Sequence, residues 1–260
     1  MLSFGVLGPL EISADGRNLP APRGPKVRQI LSLLLLEPSR HVNNSAILEE
    51  LWGQDVPRTA VSTIRTHIYH LRRALEQSAA GLTPAGAVPD DLITTRPSGY
   101  SLCPDRVRLD SVLFLGHARE GDRLLKTGDY AAASERLRQA LDVWRGAALA
   151  DVTCGPVLLQ HVRHLEEIRT RALEQRIEAD MHLGLHRELV PELRSVVAAH
   201  PLNEWMHAQF ITALHRSGRR GDALHAYQNV RKILGDELGL EPSPVLQRLQ
   251  RQVLTAAPVG

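Results

Sequence analysis

Residues 56–75 hold Arg58, Arg65, Arg72, Arg73, His67 and His70 and no acid. Ser62, Thr63, Thr66 and Tyr69 lie among them. Cations and hydroxyls in this mixture can hold phosphate oxygens and read base edges in a duplex groove. The spacing says how they would be presented. Val61, Ile64, Ile68, Leu71 and Leu75 recur at steps of three and four, which predicts a helix over residues 57–75 with its apolar face on a core and these polar groups outward. An arginine-rich amphipathic helix is most often only a solvated face. Here residues 92–102, LITTRPSGYSL, follow as two short strand-like runs about a Pro-Ser-Gly turn, a hairpin carrying Thr94, Thr95 and Arg96. A basic helix ahead of a basic hairpin is more specific than either alone.

Other chemistries find less support. His182 and His186 stand four residues apart and His161 and His164 three apart, but neither pair has the internal Glu of a zinc helix, so no metal is expected. The run GLTPAGA at 81–87 starts like a phosphate loop but carries Ala87 where a lysine should stand. No nucleophile motif or acid pair is legible, so neither an enzyme nor a cofactor is expected. Cys103 and Cys154 are the only cysteines and suggest no disulfide framework. With aromatics at 4%, base stacking on single strands has little to work with, and duplex readout by a helix is the better form of nucleic-acid binding.

The elements that would position the basic helix follow from the flanking sequence. The 260 residues suggest two domains, and an apolar fraction of 43% is ample for two cores. Residues 2–19 alternate apolar and small residues with turns at Gly8-Pro9 and Asp15-Gly16, reading as two or three antiparallel strands. KVRQILSLLLLEP is a helix with Val27, Ile30, Leu31, Leu34 and Leu35 inward and a stop at Pro38; Asn44 or Ser45 then caps a short helix, AILEELWG. Residues 77–89 read as a loop, and Pro104-Asp105 as the boundary between domains 1–104 and 105–260. Ten Lys/Arg against nine Asp/Glu precede that boundary and 21 against 20 follow it, a net +1 on each side. Any case for DNA therefore rests on local placement. With no signal pattern and no long apolar run, a cytoplasmic protein is expected.

Beyond Asp110 a spacing recurs: Gly128, Ala133, Leu137; Gly184, Leu189, Leu193; Gly218, Ala223, Tyr227. The last two glycines stand 34 residues apart, the tetratricopeptide period, and the wider first interval implies an irregular connection from Trp144 followed by a long helix beginning near Pro156. Stacked helical hairpins offer concave surfaces to protein partners. The residues alone therefore leave open a protein–protein adaptor whose basic helix anchors a partner and reads no DNA.

The segments GVLGPLEI, KVRQILSLLLLEP, ILEELWG, the helix ending THIYHLRRAL and TTRPSGYSL together resemble the winged helix-turn-helix effector domain of OmpR-type response regulators. With LDVWRGAALAD and GDALHAYQNVRKILGDELGLEPSPVLQRL added, the chain resembles the Streptomyces antibiotic regulatory protein family from end to end. That resemblance implies a mainly α protein: an N-terminal winged helix of three helices with small antiparallel sheets, then an all-α tetratricopeptide-like bacterial transcriptional activation domain. It implies an activator of secondary-metabolite gene clusters that binds direct repeats near a promoter's −35 element and contacts RNA polymerase holoenzyme, including its sigma factor. It resembles the short members of the family, without ATPase or sensor modules, and a chain that starts inside the winged helix would not be switched by a receiver phosphoaspartate.

By the same resemblance, Thr63, Thr66, His67 and His70 face bases, and Arg65, Arg72 and Arg73 face bases or phosphates. Arg96 enters the minor groove with Thr94 beside it on the backbone. Tyr69 stands where response regulators often carry a basic residue and receives no role. Lys26, at the start of the first core helix, would hold a phosphate, since a helix N-terminus and a cation both favour anions. Two copies would bind head to tail on tandem half-sites about one helical turn apart.

Overall fold

The computed structural model describes residues 2–37, 41–79 and 92–255. The run at 81–87 and Asp90 and Asp91 lie outside them, as does the helix stop at Pro38. The chain packs as two compact units, Met1–Arg119 with Gln139–Arg171, and Glu120–Arg138 with Ala172–Gly260.

In the first unit, β1 (Leu2–Gly5), β2 (Glu11–Ala14) and β3 (Arg17–Leu19) form an antiparallel meander. Its alternation buries Leu2, Phe4, Ile12 and Ala14. Helix α1 (Pro25–Leu36) buries Val27, Ile30, Leu31, Leu34 and Leu35 as its periodicity requires, and Ser32 and Leu33 as well, so it is enclosed nearly all round. Strand β4 (His41–Asn43) leads into α2 (Asn44–Trp52). The cap of α2 is Asn43, one residue earlier than the sequence suggests: its side chain accepts the Ala46 N–H at 2.7 Å. Helix α3 (Ala60–Ala79) precedes the hairpin β5 (Ile93–Arg96) and β6 (Gly99–Leu102), and β4 joins β6 to give the sheet order β4-β6-β5.

The chain continues past Pro104 without a free linker. A 3-10 turn at Pro104–Arg106 delivers β7 (Val107–Leu109), which pairs in parallel with β1, so the first sheet is mixed rather than purely antiparallel. The Asp110 carboxylate, at the start of α4 (Asp110–Lys126), accepts the N–H groups of Val6 at 2.9 Å and Leu7 at 3.0 Å. After α5 (Tyr130–Asp142) comes the irregular connection expected from Trp144 onward, and its register explains its composition. Arg145 donates its N–H to Leu7 O at 2.8 Å and its guanidinium bridges Glu11 and Asp110, while Leu149 N–H reaches Val6 O at 3.0 Å. Asp151 accepts Leu10 N–H at 2.7 Å and pairs with Arg28. Trp144 packs edge-on against Phe114, ring centroids 5.3 Å apart, beneath the Arg169 guanidinium. Glu50 of α2, 3% exposed, accepts Gly155 N–H at 2.5 Å and Leu158 N–H at 2.9 Å. It thereby caps α6 (Pro156–His182), the long helix expected near Pro156.

The second unit holds the repeats, in which α6 and α7 (His186–Ala199), then α8 (Glu204–Arg216) and α9 (Arg220–Leu238), form hairpins closed by α10 (Pro244–Thr255). Gly128, Gly184 and Gly218 sit in the interhelical turns with φ of 80°, 80° and 79°, which a side chain would strain. Ala133, Leu137, Leu189, Leu193, Ala223 and Tyr227, the periodic partners of those glycines, are all buried. Asp180, fully enclosed, accepts from Ser134, from Arg138 at 2.6 Å and from Arg176 at 2.8 Å.

Candidate nucleic-acid interface

Helix α3 buries Ala60, Ile64, Ile68, Leu71 and Leu75. Two details depart from the sequence reading. The helix begins at Ala60, three residues after Pro57, because Arg58 and Thr59 form the turn that starts it. That start puts Ala60 on the core, so Val61, expected inside, is 46% exposed. At 100° per residue the face opposite the core stripe carries Ser62, Thr66, Tyr69 and Arg73, with Arg65 and His70 at its margins.

The hydroxyls of this face are already donating. Ser62 and Thr63 bond Thr59 O at 2.7 and 3.0 Å, and Thr66 bonds Ser62 O at 3.2 Å. Their oxygen lone pairs and the threonine methyls are what remain for a ligand. The first turn of α3 holds no acid, so the positive end of the helix is not neutralised there.

The cations divide into two kinds. Arg65 and Arg96 are exposed, and among the described residues neither has a carboxylate partner. Arg72 is half-buried and turned inward: it donates through Nε and Nη2 to Ile93 O at 3.1 and 2.7 Å, and through Nη2 to Thr95 Oγ1 at 3.0 Å. It ties α3 to the first strand of the hairpin. Arg73 reaches Tyr69 Oη at 3.4 Å, and Tyr69 meets the His70 ring edge-on at 5.6 Å.

On the far margin, Lys26 stands over the Trp52 ring, 4.2 Å from its centroid. His67 is half-buried there, and its Nε2 makes no hydrogen bond among the described residues. Burial, then the charges of Lys26 and His70, hold the imidazole below its ordinary value, so it is neutral at pH 7. In the hairpin, register Arg96↔Gly99 sets Arg96 beside the turn, fully outward. Thr94 is half-buried and leans toward Ser101 O at 3.4 Å. The hairpin is buttressed by His41, whose ring nitrogens lie 3.1 Å from both Ser98 and Ser101 hydroxyls.

Of the residues that the sequence reading assigns to DNA, the structure puts Arg65, Thr66, His70, Arg73 and Arg96 on accessible surface and leaves Thr63, His67 and Thr94 half-buried. Ser62, Tyr69 and Thr95 read as outward in the sequence but receive no role there, and Trp52 is not singled out by it. The two histidines spaced like a metal clamp are occupied otherwise. His182 stacks on Tyr130 with ring centroids 4.2 Å apart, and His186 meets Arg216 at 3.4 Å.

Known proteins resemble this chain in sequence and fold. The family described as bacterial transcriptional activator domain matches residues 109–254, and that described as transcriptional regulatory protein, C terminal, matches residues 20–102. The regulatory protein DnrI of Streptomyces peucetius is 42% identical over 99% of this chain and 93% of its own length. The regulatory protein AfsR of Streptomyces coelicolor is 36% identical over 99% of this chain, which spans 24% of AfsR. The structure of Mycobacterium tuberculosis EmbR in complex with a low-affinity phosphopeptide has a TM-score of 0.86 at 32% identity, covering 100% of this chain and 66% of EmbR. A winged helix followed by helical hairpins, matched by both family descriptions and nearly end to end by DnrI, makes this chain a transcriptional regulator of the Streptomyces antibiotic regulatory protein family.

Proposed function

We propose that the chain is a sequence-specific activator of a secondary-metabolite gene cluster. It binds tandem direct repeats near the promoter −35 element as a head-to-tail pair and recruits RNA polymerase holoenzyme through its sigma factor. The observation that carries this reading is the pair of exposed arginines, Arg65 on α3 and Arg96 at the hairpin tip, neither with a carboxylate partner among the described residues, beside a face of α3 that holds no acid from Ala60 to Leu75. In this reading residues 1–104 supply DNA contact and residues 105–260 polymerase contact. Ser62, Thr63, Thr66, His67 and His70 line the major groove, Arg65 and Arg73 reach bases or phosphates, and Arg96 senses a narrow minor groove with Thr94 behind it. Lys26, presented over Trp52, holds a phosphate. Arg72 serves as a positioning residue that fixes the hairpin relative to the helix.

Genomic footprinting with the full chain tests this directly. The expected result is protection of paired repeats upstream of biosynthetic genes, with half-sites about one helical turn apart. Capture of protein partners with no sequence-selective protection would replace the activator by the adaptor.

A further inference from the structure

The geometry points to Tyr69 as a specificity-determining residue that reads the C5-methyl group of a thymine. The assignment rests on the DNA-reading role proposed above. Tyr69 is 54% exposed, and it shares the face opposite the core stripe with Ser62, Thr66 and Arg73. A large aromatic gains nothing from water at such a position, and the polar residues around it do not cover it. Val61 is the other exposed apolar side chain of α3, but it lies on the margin that faces the hairpin, the side on which Arg72 reaches β5.

The ring is also held. His70 meets it edge-on with planes 63° apart, and Arg73, one turn later, donates to its hydroxyl at 3.4 Å. Two neighbours therefore fix an apolar surface before any ligand arrives, which lowers the ordering cost of binding. In the major groove the apolar feature available to such a surface is the thymine methyl; cytosine offers only hydrogen there. The neighbouring hydroxyls donate to their own backbone, so this face offers oxygen acceptors, methyls and one ring, flanked by cations. Arg73 depends on the same side chain, because the tyrosine oxygen is its one protein partner among the described residues. Tyr69 thus couples a methyl-reading ring to the aim of the next cation.

The test uses the full chain and a consensus duplex that it selects from random sequence. Each thymine of the consensus is replaced singly by deoxyuridine, which deletes only the methyl, and affinity is read by fluorescence anisotropy at fixed salt. For the parent, one position per half-site should weaken about fourfold, the factor expected from uncovering a single buried methyl. Tyr69→Ala should bind more weakly and be indifferent to deoxyuridine at that position, and Tyr69→Gln, which reaches further than alanine but has no ring, should behave likewise. Tyr69→Phe should keep the fourfold discrimination. If every thymine tolerates loss of its methyl, or if Tyr69→Ala and Tyr69→Gln stay as sensitive as the parent at the same position, the assignment is overturned while DNA reading stands. If the parent selects no consensus at all, the DNA-reading role falls and the assignment falls with it.

Discussion

Replacing Glu50 by glutamine should destabilise the first unit far more than one exchanged atom suggests. The carboxylate is 3% exposed and accepts two backbone N–H groups from the start of α6, Gly155 at 2.5 Å and Leu158 at 2.9 Å. A glutamine oxygen can keep one of those bonds, but its amide group then faces the other N–H, donor against donor. Hydrogen bonds to a charged group contribute about 1.5–3 kcal/mol each, and a stranded buried donor costs about 1–3 kcal/mol, so a loss of about 2–4 kcal/mol is expected. For a unit of this size that corresponds to a fall in Tm of roughly 5–15 °C. Glu50→Ala should be worse, because it frees both N–H groups and the Gln29 amide, which lies 3.5 Å from Glu50 Oε1. The site has little room to adjust: a Cβ on Gly155 would stand 2.2 Å from Glu50 O, so the backbones already touch. Thermal unfolding by circular dichroism gives the global cost, and hydrogen exchange at Gly155 and Leu158 gives the local one. A melting curve within about 0.5 kcal/mol of the parent, with unchanged exchange at those two amides, would refute the capping argument.

Three further outcomes are expected. Arg96→Ala should lower the slope of log affinity against log salt by about one ion, whereas Arg72→Ala should weaken binding with the slope nearly unchanged, since its charge is spent on Ile93 O and Thr95; equal slope changes in a salt titration would return Arg72 to the phosphates. Asp180→Asn should destabilise the second unit by about 2–4 kcal/mol, because Arg176, itself 3% exposed, loses its buried carboxylate and keeps only Glu192 as an ion-pair partner among the described residues; a urea midpoint like the parent's would contradict this. Burial holds His207 below its ordinary value of 6.5, although its bond to Pro201 O and the charge of Glu204 pull the other way. The unfolded chain therefore binds more protons than the folded one as pH falls through that value, so the second unit should lose stability from about pH 7 downward. His207→Gln should flatten that loss, and an unchanged pH profile would remove His207 as its source.

The helical elements were legible because their signals are local. The steps of three and four in α1 and α3, the glycines that close the repeat hairpins and the Pro156 start of α6 all express contacts within a few residues. What could not be read was long-range. Strand β7 is three residues of ordinary composition, and only pairing with β1, more than one hundred residues earlier, makes it a strand. For the same reason LDVWRGAALAD reads as an irregular connection. Its Arg145, Leu149 and Asp151 are specified by the β1–β2 turn, which no periodicity within the segment reveals.

The interface shows the same limit at the scale of single side chains. A count of charges on α3 cannot separate Arg65 from Arg72, yet one is exposed with no carboxylate partner among the described residues and the other spends its guanidinium on two acceptors of β5. The difference follows from where each leaves the helix: Arg72 points along the margin that meets the hairpin, and a guanidinium within reach of a carbonyl and a hydroxyl satisfies three donors at once. Under the proposed DNA-reading role a cation used in this way would still serve recognition, because the hairpin tip would enter a minor groove only while its base is fixed relative to α3. Loss of Arg72 should therefore appear as a loosened hairpin, with faster amide exchange at Thr95 and Arg96, before it appears as a lost phosphate contact. Unchanged exchange in Arg72→Ala, together with a salt slope reduced by about one, would show that the charge itself mattered and the tether did not.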